Sequence, residues 1–197
     1  MRTKKLIYVL LAGALVLSAF TNTSKAADNG RFSVGAELGL PMGDFGDAAN
    51  MGFGGSLRYE MPMGDNLGLT ATAGYLMFSG KDQDFGGITI KGGDWSMIPI
   101  QVGAKYYFQE QQDGFYGMVE LGVHSTKYTI PSYTTTFYGV SVTVPEVSAS
   151  STDLSYAPEI GYHLANIDLG LRYQMVATEG STTSYLGLRL AYVFGEK

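Results

Sequence analysis

The chain of 197 residues contains no cysteine, which excludes a disulfide scaffold, a thiolate-bound zinc site and a lipid-modified N-terminal cysteine. Charge is sparse, at 16% of residues, and carries no basic excess, the formal net charge being −5. A nucleic-acid partner needs a basic footprint, so none is expected. Few charges combined with 45% hydrophobic residues also exclude intrinsic disorder. After residue 26 no apolar run reaches the ~20 residues of a spanning helix, and no segment beyond residue 31 repeats at the helical period. What the chain does have is 27 glycines, 14 tyrosines and 10 phenylalanines, in a length suited to one domain of roughly 150 residues.

The N-terminus reads as an export address. Met1-Arg2-Thr3-Lys4-Lys5 is basic, Leu6 to Phe20 is apolar but for Gly13 and Ser18, and Ser24-Lys25-Ala26 places small residues where a signal peptidase reads. The apolar run is shorter than a membrane helix requires. Residues 1–26 are therefore expected to be a signal peptide and 27–197 the mature domain, with Ala27 as the other candidate for the last residue removed. Their removal leaves nine basic residues against 18 acids, a net charge of −9. If the mature chain enters a membrane, it does so as strands.

Apolar residues recur at every second position in eight segments: 32–40, 53–61, 67–78, 95–108, 115–127, 152–164, 167–176 and 184–194. One parity is apolar throughout, as in Phe32, Val34, Ala36, Leu38 and Leu40, or Leu186, Leu188, Leu190, Tyr192 and Phe194. The opposite parity is glycine, serine, threonine and glutamine, plus nine charges: Glu37, Arg58, Glu60, Lys105, Glu120, Glu159, Asp168, Arg172 and Arg189. A soluble barrel would turn the apolar set inward, whereas a membrane barrel turns it outward. The interior of eight strands is narrow and has no room for the many large apolar side chains, while glycines with a few long polar residues fill it. Arg58, Lys105, Arg172 and Arg189 on the lipid side would each cost ~2–4 kcal/mol at the midplane. The fold expected is all-β, an eight-stranded antiparallel up-and-down transmembrane β-barrel with the nine charges inside.

Placement of aromatics agrees with two interfacial girdles, Phe32, Tyr59, Tyr106, Phe108, Phe115, Tyr162, Tyr192 and Phe194 toward one end and Phe53, Tyr75, Tyr156 and Tyr173 toward the other. Connections alternate between short (62–66, 109–114, Ala165-Asn166) and long (41–52, 79–94, 128–151, 177–183), the long ones being expected outside the cell. Trp95, Met97 and Pro99 break the pattern of segment four by sharing the inward parity, for which a bulge is expected; Leu76 and Phe78 also point inward near the outer end. Within 128–151, Val140 to Val144 alternates, and a hairpin turning near Tyr138-Gly139 is expected above the membrane. A ten-strand barrel is the alternative, although Pro131 and Pro145 bracket the pair.

Chemistry is thinly represented. His124 and His163 have inward parity, with Glu120 and Glu159 four residues before each, but no serine stands where a nucleophile would need to be: Ser125 is outward and Ser155 lies far along its strand. No catalytic residue, cofactor or metal site is assigned. Asp82, Asp84 and Asp94 lack the spacing of an EF-hand and read as a solvated loop. The inward charges read instead as an ion-paired filling, with Glu37, Glu120, Glu159, Arg172 and Arg189 as a belt near the strand centres.

Three stretches carry a family likeness: Ala36 to Tyr59 (AELGLPMGDFGDAANMGFGGSLRY), Ile98 to Phe108 (IPIQVGAKYYF) and Leu186 to Phe194 (LGLRLAYVF). They resemble the first hairpin, the fourth strand and the last strand of the bacterial outer-membrane β-barrel domain family, the small OmpX- and OmpA-like barrels of porin-family type. The likeness covers residues 28–194. It implies a place in the Gram-negative outer membrane among lipid and lipopolysaccharide, insertion by the barrel-assembly machinery through a terminal aromatic such as Phe194, and no enzymatic activity. A structural or surface-interaction role with loop 128–151 displayed is the leading expectation. A narrow channel for small solutes and a secreted soluble ligand-binding barrel are the alternatives.

Overall fold

The computed structural model describes residues 30–85, 88–90, 92–137, 140–178 and 180–194. The expected signal segment, the tip at Tyr138-Gly139 and the three residues after Phe194 lie outside them. Among the described residues twelve strands form: β1 (Arg31–Met42), β2 (Gly52–Pro62), β3 (Leu67–Phe78), β4 (Gln83–Phe85), β5 (Ile88–Ile90), β6 (Asp94–Tyr107), β7 (Gly114–Ile130), β8 (Tyr133–Phe137), β9 (Val140–Val144), β10 (Val147–Leu164), β11 (Ile167–Thr178) and β12 (Ser181–Phe194). A five-residue helix α1 (Asp44–Ala48) follows β1, and a 3-10 turn (Glu110–Gln112) precedes β7.

Eight of the strands close into one antiparallel barrel in the order β1-β12-β11-β10-β7-β6-β3-β2. The seam pairs β1 with β12, with Glu37 opposite Arg189, and leaves no open edge around the wall, as a bilayer requires. The hairpins β4–β5 and β8–β9 stand apart as separate two-stranded sheets, so 128–151 adds no ninth or tenth strand to the wall.

Side chains sort by parity as the alternation dictates. Apolar residues cover the outer wall, Ile160 and Phe53 being 66% exposed, and the nine inward charges are all buried. This is the reverse of a soluble barrel, which would hide its leucines and wet its arginines. At the end of β2 the alternation fails: Met61, of outward parity, is buried where the chain bends into the turn 63–66.

Three expectations need correction. Segment four has no bulge. The β3–β6 register is the same on both sides of Pro99, Ala73 opposite Ile100 and Leu76 opposite Met97, and only the ladder beside the proline lapses, since proline has no N–H to give. Met97 and Trp95 therefore stay on the inner side. The connection 177–183 is no long loop. Strands β11 and β12 remain paired up to Thr178 opposite Ser181, with Gly180 at φ 82 relieving the tight turn. Most of 128–151 is strand as well: β7 and β10 stay paired out to Ile130 opposite Val147, because their Ser/Thr-rich sequence suits a sheet wet on both faces.

Candidate functional site

The lumen collects the nine expected charges, together with Arg31, into one ion-paired lattice built in tiers. At the end carrying the short turns, Arg31 Nη2 donates to Glu60 Oε1 at 2.6 Å and to Gln112 Oε1 at 2.6 Å. Gln112 acts as a latch: its Nε2 donates to the carbonyls of Gly64 and Leu67, each at 3.0 Å, and its own carbonyl lies 3.1 Å from His163 Nδ1. Its backbone sits at φ 53, a region that costs energy for a residue with a side chain. Lys105 Nζ bridges Glu60 Oε2 at 3.2 Å and Asp168 Oδ2 at 2.6 Å, and lies 3.9 Å from the centre of the Tyr116 ring.

At mid-lumen Arg58 reaches across the barrel. Its Nη1 and Nη2 donate to the two oxygens of Glu159, both at 3.0 Å, and its Nε to Thr72 Oγ1 at 3.0 Å, with Glu120 at 3.5 Å and Asp168 at 3.9 Å. The fork geometry is that of a bidentate arginine–carboxylate pair. Arg189 holds Ser56 Oγ at 2.9 Å and Ser33 Oγ at 2.8 Å, with Asp168 at 3.4 Å and Glu37 at 3.7 Å. Arg172 pairs with Glu37 at 2.9 Å. All nine charges expected inside are thus linked by contacts within 4 Å. The five-residue belt falls into two groups, Glu37 with Arg172 and Arg189, and Glu120 with Glu159 on Arg58, joined through Asp168.

Four inward residues escaped the sequence reading. Arg31 lies one residue before the expected start of segment one. Asp153 has inward parity and is buried. The hydroxyls of Tyr107 and Tyr116 lie inside the lattice, Tyr107 Oη donating to Glu60 at 2.8 Å and Tyr116 Oη lying 2.9 Å from Glu159 and 3.0 Å from Asp168. The phase of the alternation marks all four as inward.

The outer mouth is apolar. Leu76, Phe78, Met97 and Tyr185 from the wall, with Phe45 and Ala49 from the α1 segment, form one buried cluster against which Trp95 packs. Phe45 lies 5.2 Å from Phe78 and 5.5 Å from Trp95, ring centre to ring centre. Phe78 lies against Gly39 and Gly52, where any Cβ would overlap its ring.

The histidines do not form a catalytic set. His124 Nε2 lies 3.3 Å from Tyr185 Oη, and His163 meets the Gln112 carbonyl, while Ser155 accepts from Gln101 at 3.2 Å. Asp82 is engaged by the Gly92 N–H at 3.1 Å. No group of three or more His, Asp or Glu positioned for a metal occurs among the described residues.

Comparison with known proteins agrees with this geometry. The structure is similar to that of Ail, the attachment invasion locus protein of Yersinia pestis, crystallised in complex with the heparin analogue sucrose octasulfate: the TM-score is 0.57 at 15% identity, over 84% of this chain and 98% of that one. It is also similar to the N-terminal β-barrel domain of Pseudomonas aeruginosa OprF, with a TM-score of 0.51 at 13% identity, over 83% of this chain and 97% of that domain. At such identities the likeness is one of fold. No curated protein matches the chain. The family model for the outer membrane protein beta-barrel domain matches residues 11–194, and the chain belongs to that family.

Proposed function

We propose that this outer-membrane barrel is a non-conducting, non-catalytic scaffold whose work is done by its outer loops and its projecting sheet. The observation that carries this reading is the crossing of the lumen by Arg58, which binds Glu159 on the far wall through both carboxylate oxygens. In an eight-stranded interior just wide enough for side chains to fill, such a bridge leaves no continuous path for ions. Planar-bilayer recording of the refolded protein tests it: the expected result is no unitary conductance, and steady channel openings would replace the scaffold with a narrow channel.

The outer connections 43–51, 79–93, 131–146 and 179–180 hold six acids against Lys81 and Lys91. Sucrose octasulfate, seen with Ail, is a polyanion; by charge, the surface of this chain favours a neutral or cationic partner, and lipopolysaccharide would contact the wall rather than the loop tips. Display and export are tested together. Protease added to intact cells should cut within 131–146, and the mass of the recovered chain should begin at Ala27, the signal peptide 1–26 having been removed. Insertion through the barrel-assembly machinery follows from the same reading.

A further inference from the structure

Twelve buried side-chain polar atoms meet no hydrogen-bond partner among the described residues; four of them, both Glu37 oxygens, Glu120 Oε2 and Arg172 Nη2, still lie in ion pairs of the lattice, and six of the others fall in one tier: Gln101 Oε1, His124 Nδ1, Asp153 Oδ2, Gln174 Oε1 and the Nε and Nη1 of Arg172. This tier lies directly beneath the apolar mouth. His124 contacts Tyr185, which packs on Phe78 at 5.4 Å, while the Arg58 lattice closes the tier from below. Outside this tier and those ion pairs, only Arg31 Nε and His163 Nε2 are left over. Six such atoms left dry would cost a large part of a domain's whole stability. Satisfying them takes hydrogen-bonding occupants.

Charge gives the occupant a sign. Among the described lumen residues the acids Glu37, Glu60, Glu120, Asp153, Glu159 and Asp168 outnumber the bases Arg31, Arg58, Lys105, Arg172 and Arg189 by one. The surplus is Asp153, cross-strand neighbour of His124 and outside every ion pair of the lattice.

The cover is separable from the wall. Backbone hydrogen bonds of the α1 segment close within it or run to the loop at Ser79 and Lys81, as in Asn50 N to Ser79 O at 2.8 Å and Lys81 N to Ala48 O at 2.8 Å. The helix is entered through Gly43 at φ 57, where even a Cβ would touch nothing. We propose that the tier is a vestibule for small hydrogen-bond-donating solutes, cations favoured, stoppered from the outside by Phe45 and Phe78 and closed toward the periplasm by the Arg58 lattice.

Because the chain has no cysteine, one introduced thiol reports on the vestibule alone. Ser155→Cys, placed beside Gln101, is treated on intact cells with methanethiosulfonates bearing ethylammonium or ethylsulfonate groups, with the exposed position Thr152→Cys as the accessible control. With the stopper intact, Ser155→Cys should label far more slowly than the control. Adding Phe78→Ala or Phe45→Ala should speed its labelling by about tenfold or more, and the ammonium reagent should outrun the sulfonate by about tenfold. Phe45 lies outside the strand ladder, so Phe45→Ala carries the test if Phe78→Ala does not fold. Rapid labelling with the stopper intact would remove the stopper. Slow labelling in both uncapped variants, with the barrel still heat-shifted on a gel, would remove the vestibule. Equal rates for the two reagents would remove the cation preference. Conductance of the unaltered barrel tests the scaffold separately, so failure of one leaves the other standing.

Discussion

Replacing Arg58 with methionine should lower the unfolding free energy by ~3–5 kcal/mol, the range for removing one partner of a buried ion pair. The size follows from what is left behind. Glu159 loses two hydrogen bonds at 3.0 Å and Glu120 loses its 3.5 Å partner, in a lumen where both carboxylates are fully enclosed. Methionine fills most of the volume, so the loss measures stranded charge rather than a cavity. Arg58→Lys keeps the charge but cannot fork to both oxygens of Glu159 while holding Thr72, and should recover only part of the loss. Urea titration of the refolded protein in lipid vesicles gives all three values. A change below about 1 kcal/mol for Arg58→Met, as at an ordinary surface site, would mean that Lys105 and Arg189 neutralise the acids without it, and the lattice would have no keystone.

How far this arrangement could be read beforehand depends on what each feature rests upon. Parity decides which side of the wall a residue takes, since side chains alternate strictly along a strand. That is why Glu37, Arg172 and Arg189 could be placed inside from the order of residues alone. Partners are another matter. Arg58 and Glu159 are 101 positions apart, and which inward charge meets which depends on the stagger of eight strands around the axis, a property of the closed barrel rather than of any one segment. Arg31 was missed because an outline beginning at the first apolar residue cuts off the polar one before it. The Gln112 latch had no signal at all, being a glutamine in an unremarkable turn whose worth comes from two carbonyls, Gly64 and Leu67, on another turn.

The outer end was harder to read for a related reason. Leu76, Phe78 and Met97 look like misplaced residues when parity is the only guide, and a bulge is the usual way to re-aim them. With the register intact they face inward and find one another, and Phe45, from a connection that parity does not address, completes the cluster. The lengths of β7 and β10 were underestimated because alternation of apolar with polar marks only the part of a strand that touches lipid. Above that level both faces are wet, and a run such as Val147-Ser148-Ala149-Ser150-Ser151 resembles a loop in composition while remaining paired to β7.

The same logic makes the lipid face as testable as the lumen, and at adjacent positions. Leu171 is 45% exposed and lies between the outward-facing Ile160 and Leu188 on its neighbouring strands. Arg172 beside it is buried against Glu37. Leu171→Arg should therefore destabilise the barrel by ~2–4 kcal/mol, the cost of arginine near the midplane of the bilayer, although the residue type is the one that stabilises the next position. A long side chain can reach toward the headgroups, which sets the lower end of the range. Ser150→Arg, on the part of β10 that projects above the barrel rim and is exposed, should change stability by less than about 0.5 kcal/mol. Refolding both variants into vesicles and titrating with urea compares them directly. Similar, small effects at the two positions would show that the band around Leu171 faces water, and with it the assignment of the apolar wall to lipid would fall.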